Sequence, residues 1–173
     1  MEQQQLTHHH IAFTPKQHPI TLVCDQLTGA ANIGSIFRLA DAFGVQKIYF
    51  LQSEFEFNRR TEKTSRSTHK YVAYEFIPTL EQLPFIKNLK EGNTIALEIT
   101  NTSKAIQKLN IQPELPTYLF IGNENYGVSA SALNVVEQSY HIPMFGKNSS
   151  MNIAQATSIA LYELTNLYQE YAP

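Results

Sequence analysis

One cysteine, Cys24, is all that 173 residues contain, so no disulfide can form within the chain. It sits in an apolar run, 20–25, that reads as a buried strand, and packing rather than reactivity is its expected role. No apolar run reaches the length of a membrane span, and the first residues, MEQQQ, lack the pattern of a signal peptide. A cytoplasmic location is the expectation. No G-x-G-x-x-G follows a strand and no P-loop occurs, which disfavours a nicotinamide-type dinucleotide site. His8, His9 and His10 have no partner acids or cysteines beside them, so no metal site is expected there. Residues 1–18 read instead as a flexible polar arm. Strong charge of one sign is missing too: the formal net charge is −2, which argues against a general polyanion binder.

What is present is an ordinary globular composition, 43% apolar and 16% charged, long enough for one domain over residues 19–173 with a sizeable core. Apolar runs at 20–25, 47–51, 71–76, 94–98, 118–121 and 139–142 read as strands. Between them lie helical patterns. Ile33, Ile36, Phe37, Ala40 and Phe43 recur at helical spacing, with Gly44 as a stop. Leu80, Leu83, Ile86 and Leu89 mark a helix, with Pro84 placed in its first turn. Residues 103–109 read as a short helix, and 130–137 as a helix capped by Ser129. From Asn152 a long helix runs to about Tyr171, with Ile153, Ala156, Ala160, Leu164, Leu167 and Tyr171 on one stripe. The alternation predicts an α/β fold, a mostly parallel sheet with helices on both faces.

Charge is distributed unevenly. Between 58 and 70, Arg59, Arg60, Lys63, Arg66 and Lys70 face one acid, Glu62, a local excess of four positive charges. A solvated loop is the plain reading of such a run; a phosphate-contacting patch is the functional one.

Three short motifs stand where strands meet helices, the place where open α/β sheets hold ligands. The first, NIGSIFR at 32–38, offers Asn32, either a helix cap or a polar contact, and Arg38, a cation beside the core stripe near the helix start. The second, IGNENYG at 121–127, brings Glu124 and two glycines, Gly122 and Gly127, that let a ligand approach the main chain. The third, IPMFG at 142–146 followed by SSMNI at 149–153, brings Ser149, Ser150 and Asn152 to the start of the last helix. Either serine could cap that helix. Met144 and Met151 bracket the loop, as core filler or as packing for a flat aromatic ligand.

Read together, NIGSIFRLADAFGV, LFIGNENYGVS and IPMFGKNSSMNIAQATSIALYE closely resemble the SpoU (TrmH) family of the SPOUT superfamily, AdoMet-dependent RNA 2′-O-ribose methyltransferases. They stand in the family's order and spacing over roughly residues 20–170. The resemblance implies an α/β sheet whose C-terminal part is tied in a deep trefoil knot, a feature that nothing in periodicity shows. It implies a cofactor pocket for S-adenosyl-L-methionine lined by Leu97, Glu98, Gly122, Ile142, Met144 and Met151. Arg38, Asn32, Glu124, Ser150 and Asn152 fall on the family's catalytic positions, with Glu124 orienting Arg38. No metal is required. The partners implied are RNA, either tRNA or rRNA, and a second copy of the chain, with the active site composed across a homodimer whose face the long final helix suits.

Guanidinium is a very weak acid and rarely gives up its proton. Arg38 is therefore expected to stabilise a forming alkoxide, with a phosphate oxygen or water taking the proton. The segment KTSRSTHKYVAYE departs from the small residues and glycine of many relatives and leaves local RNA contacts open. The alternatives are an inert RNA-binding relative of the same fold and a small-molecule α/β enzyme.

Overall fold

The computed structural model describes residues 14–170 except 53, 54 and 56. The histidine run and Tyr171 lie outside these residues. Seven strands are described: β1 (His18–Asp25), β2 (Val45–Leu51), β3 (Tyr74–Ile77), β4 (Asn93–Leu97), β5 (Lys104–Ala105), β6 (Thr117–Ile121) and β7 (Gln138–His141). Four α-helices accompany them: α1 (Ala30–Ala42), α2 (Arg59–Ser65), α3 (Ala130–Leu133) and α4 (Ile153–Glu170). The strands form one sheet in the order β3-β2-β1-β6-β4-β7-β5, and every pairing is parallel. β6 lies between β1 and β4, with Leu22 level with Leu119 on one side and Ile95 level with Leu119 on the other.

Alternation along the strands builds two cores. Ile20, Leu22, Cys24, Ile48, Phe50, Leu119 and Ile121 pack under α1 and α4. Val23, Tyr49, Leu51, Ala96 and Phe120 face the other way, toward Val128 and Ala132. Cys24 is fully buried, and burial next to Asp25 and Glu124 holds its thiol far above the ordinary range. It is packing, not a nucleophile.

Four expectations are corrected by the backbone. Residues 80–89 form two 3-10 segments, Leu80–Gln82 and Ile86–Glu91, not an α-helix. Leu83, forced out of the helical region ahead of Pro84, breaks the run at φ −59°, ψ 129°. Residues 103–109 divide into the edge strand β5 and a 3-10 turn. α3 stops after four residues because the next segment pairs with the sheet: Glu137 N–H donates to the Thr94 carbonyl, and β7 begins. Ser129 does cap α3, accepting from Ala132 N–H. Finally, Ala156, Ala160 and Leu164 of the α4 stripe are buried in the chain's own core. Those three positions are not free to serve as a dimer face, whereas Ile153 and Leu167 of the stripe are half-buried.

Candidate active site

Because all strands run one way, their carboxyl ends share one edge of the sheet. There the loops after β4, β6 and β7 and the start of α4 enclose a cavity of about 570 Å³, within the range of small-molecule sites. Leu97, Glu98, Gly122, Ile142, Met144 and Met151 all line it, as do Asn32, Glu124, Ser150 and Asn152. Arg38 and the cations of 59–70 are the sequence-derived site residues that do not.

The three motifs meet in a chain of hydrogen bonds. Asn152, not a serine, heads α4: its Oδ1 accepts from Ala154 N–H (2.9 Å) and Gln155 N–H (3.4 Å). With the oxygen turned to the helix, the Asn152 amide nitrogen points out and donates to Asn32 Oδ1 at 2.9 Å. The Asn32 nitrogen then donates to Glu124 Oε1 at 2.9 Å, which also accepts from Gly29 N–H at 3.0 Å. Each amide orientation follows from the one before it, starting at the helix cap. Asn32 itself does not cap α1, whose N-cap position is Gly29. Each carboxamide nitrogen has a second proton to offer a ligand.

Below the relay the loops are pinned by main chain. Glu98 accepts from Ile99 N–H through Oε1 and from Val128 N–H through Oε2, both at 2.8 Å, tying the β4 loop to the β6 loop. Asn123 and Gly127 bridge each other's main chains, and Gly127 turns the loop at φ +68°. Gly122 passes so close to this turn that an added Cβ would collide with the Gly127 carbonyl and the Val128 nitrogen. Buried Asp25 accepts from Ser129 N–H at 2.8 Å and fixes the exit of the loop.

Arg38 stands elsewhere. It is the ninth residue of α1, not near the start, and it is exposed. Six residues place it about 9 Å along the axis from Asn32 and about 120° around it. Within the chain, Glu124 holds Asn32 and Gly29 and does not orient Arg38. Arg38 follows Gly34 by one turn, and Gly34 faces α2, where an added Cβ would lie 2.7 Å from the Thr61 carbonyl oxygen. The guanidinium therefore shares the side of α1 against which the basic segment packs. In that segment Asn58 caps α2 by accepting from Arg60 N–H and Thr61 N–H, each at 3.0 Å. Arg59, Arg60, Lys63, Arg66 and Lys70 are all exposed.

The sequence reading missed Ile99, Tyr126 and His141 in the cavity wall. It also missed Asn123, whose Oδ1 accepts from Asn125 N–H and Tyr126 N–H and shapes the loop. An Asn opening a short turn that ends in Gly was the available signal for Asn123. Nothing in the pattern marked His141.

A parallel α/β sheet whose strand-end pocket joins these three motifs defines a methylase of the SpoU class. The chain belongs to the SpoU rRNA Methylase family, whose profile matches residues 19–162. It is 27% identical over 158 residues to the tRNA (guanosine(18)-2′-O)-methyltransferase of Aquifex aeolicus, covering 90% of this chain and 72% of that protein. It is 27% identical over 148 residues to the 23S rRNA (guanosine(2553)-2′-O)-methyltransferase RlmP of Bacillus subtilis, covering 83% of this chain but 56% of RlmP. The fold matches the crystal structure of the A. aeolicus TrmH/SpoU tRNA modifying enzyme with a TM-score of 0.78 at 27% identity, over 90% of this chain and 78% of that one. It also matches AviRb from Streptomyces viridochromogenes in complex with AdoMet, with a TM-score of 0.77 at 23% identity, over 90% and 63% of the two chains.

Proposed function

We propose that this chain transfers a methyl group from S-adenosyl-L-methionine to a ribose 2′-hydroxyl of tRNA or rRNA, in the cytoplasm and as a homodimer. The observation that carries the reading is the Asn152–Asn32–Glu124 relay at the wall of the strand-end cavity. The named relatives act on tRNA and on 23S rRNA, which sets the substrate class.

The residues present fit the cofactor. Leu97, Ile142, Met144 and Met151 offer apolar surface for an adenine ring, and the strand ends offer main-chain groups for its edges. The carboxylates of Glu98 and Glu124 in the wall favour a nearby cation. When bound, AdoMet supplies a methyl group already activated by its positive sulfur, so no metal is needed. The free amide protons of Asn32 and Asn152, with the Ser150 hydroxyl, position ribose and phosphate. The hydroxyl must lose its proton as the oxygen–methyl bond forms. Arg38 stabilises the developing oxyanion, and a phosphate oxygen or water takes the proton. Arg38 does not line the cavity of its own chain, and in this reading a second copy supplies it. The strand order, with β6 placed between β1 and β4 and β7 beyond β4, supports the trefoil knot of the family fold.

Incubation with tritiated AdoMet and unmodified tRNA or rRNA, followed by nuclease digestion, is expected to yield a labelled 2′-O-methylnucleoside. Binding of both substrates without transfer would establish an inert relative instead.

Asn152→Asp separates folding from chemistry. Aspartate caps a helix as well as asparagine, so the melting temperature is expected to stay within about 2 °C. The new carboxylate cannot donate to Asn32. If Asn32 turns to donate to it, the Asn32 oxygen meets Glu124. Methyl transfer is expected to fall at least about tenfold in kcat/KM.

Charge reversal of Arg59 and Arg60 tests the basic segment. Two lost phosphate contacts should weaken RNA binding and reduce the slope of log K against log salt by about 2. An unchanged slope would return α2 to a solvated surface.

A further inference from the structure

Three of the large apolar side chains that the described residues leave exposed lie on the loops that border the cavity: Ile99 (58% exposed), Tyr126 (87%) and Phe145 (97%). Ile99 and Tyr126 line it, and Phe145 follows the lining residue Met144. They come from three different loops, those after β4, β6 and β7. Single exposed apolar residues are ordinary, but convergence of several on one opening is not. Phe145 gains almost nothing from burial within its own chain.

Tyr126 is held out by construction. Its N–H donates to Asn123 Oδ1 at 3.3 Å, and the Asn123–Gly127 bridge closes the loop around it. Phe145 heads a stretch, 145–150, in which every residue is exposed, and an added Cβ on Gly146 would touch nothing. Lys147, two residues on, is the one charge of the 142–152 loop. The acids nearby are already engaged: Glu98 accepts from two main-chain N–H groups, and Glu124 from Gly29 and Asn32.

We infer that Tyr126 and Phe145 form a stacking platform for the base of the nucleotide being methylated, with Ile99 as its apolar flank and Lys147 as a phosphate contact. The inference rests on the proposed RNA 2′-O-methyltransferase reading. A ribose held at the Asn32–Asn152 relay carries its base to the same rim, so the platform is continuous with that site. A base drawn out of its stack loses its stacking contacts, and aromatic faces return them without regard to base identity. These are positioning residues; neither side chain takes part in bond making.

The test uses two nine-nucleotide single-stranded RNAs, one with guanosine at its centre and one abasic there, with S-adenosylhomocysteine present. The full chain is expected to bind the guanosine form about tenfold more tightly. Tyr126→Ala combined with Phe145→Ala should bring that ratio close to one, whereas Tyr126→Phe with Phe145→Tyr should preserve it. Arg59→Glu with Arg60→Glu serves as the contrast, weakening both RNAs equally and leaving the ratio unchanged. A ratio unaffected by the alanine pair overturns the platform. So does a shift of Phe145→Ala from dimer to monomer with the ratio intact, which would assign the rim to a second copy of the chain. Failure of the unaltered protein to bind either RNA overturns the RNA reading itself, a result distinct from binding without base discrimination.

Discussion

Arg38→Ala is expected to fold normally, bind AdoMet and lose methyl transfer by a factor of about 10² to 10³, the usual cost of removing one group aimed at a developing oxyanion. Its stability should hardly change, because the side chain is exposed and no ion pair in the described residues involves it. The sharper experiment mixes two impaired proteins. Arg38→Ala keeps the relay and lacks the cation; Asn152→Asp keeps the cation and lacks the relay. If the guanidinium serves the pocket of its partner, half the dimers in an equal mixture are mixed, and each carries one intact site. About a quarter of the unaltered activity is then expected to return. If each chain uses its own Arg38, activity stays at the average of the two impaired proteins. Activity retained by Arg38→Ala alone would remove the residue from the chemistry.

The second large effect is expected at Gly122. An alanine there drives its methyl group into the Gly127 carbonyl and the Val128 nitrogen, and neither is the end of a flexible side chain. One of two strand-end segments must move. The segment that moves carries the Val128 N–H bonded to Glu98 and the Ser129 N–H bonded to Asp25. Overpacking of this kind costs about 1–3 kcal/mol, and with backbone on both sides the upper end applies. A fall in melting temperature of about 6–12 °C is expected by calorimetry. AdoMet affinity measured well below that transition should fall with it. An unchanged melting point would show that the two segments can separate at no cost.

The fold was legible where a residue's surroundings follow from its neighbours in sequence. β1, β2, β4, β6 and β7 lie within one or two residues of the segments read as strands; the first four are largely apolar, as strands buried on both faces are, whereas β7 is not. α1 and α4 were legible through their 3.6-residue stripes. Residues 80–89 were not, since the same spacing of Leu80, Leu83 and Ile86 suits short 3-10 segments once Pro84 restricts Leu83. α3 was read too long because its end is set by Thr94, 43 residues away from Glu137 in sequence. The candidate pocket was legible through family resemblance: all six residues assigned to the cofactor line the cavity. The direction of Arg38 was not, because a helix position gives an angle around the axis only after the other faces are known to be covered. Nor was the partner of Glu124, which a carboxylate's sequence position does not reveal. Ile99 and Tyr126 escaped notice because an exposed apolar residue in a loop resembles any other until the loops are brought together.

The place of β6 bears on how this molecule is made. Residues 117–121 are synthesised after β1 to β5 yet end up between β1 and β4. Until they leave the ribosome, β1 has main-chain partners only on the β2 side, and β4 lacks its neighbour on that flank. The β1 edge thus stays open while residues 26–121 are made and the β4 edge while residues 98–121 are made, the condition under which strands pair with the wrong neighbour. Production of this protein in quantity should therefore depend more on the speed of synthesis and on chaperone supply than its final stability would suggest.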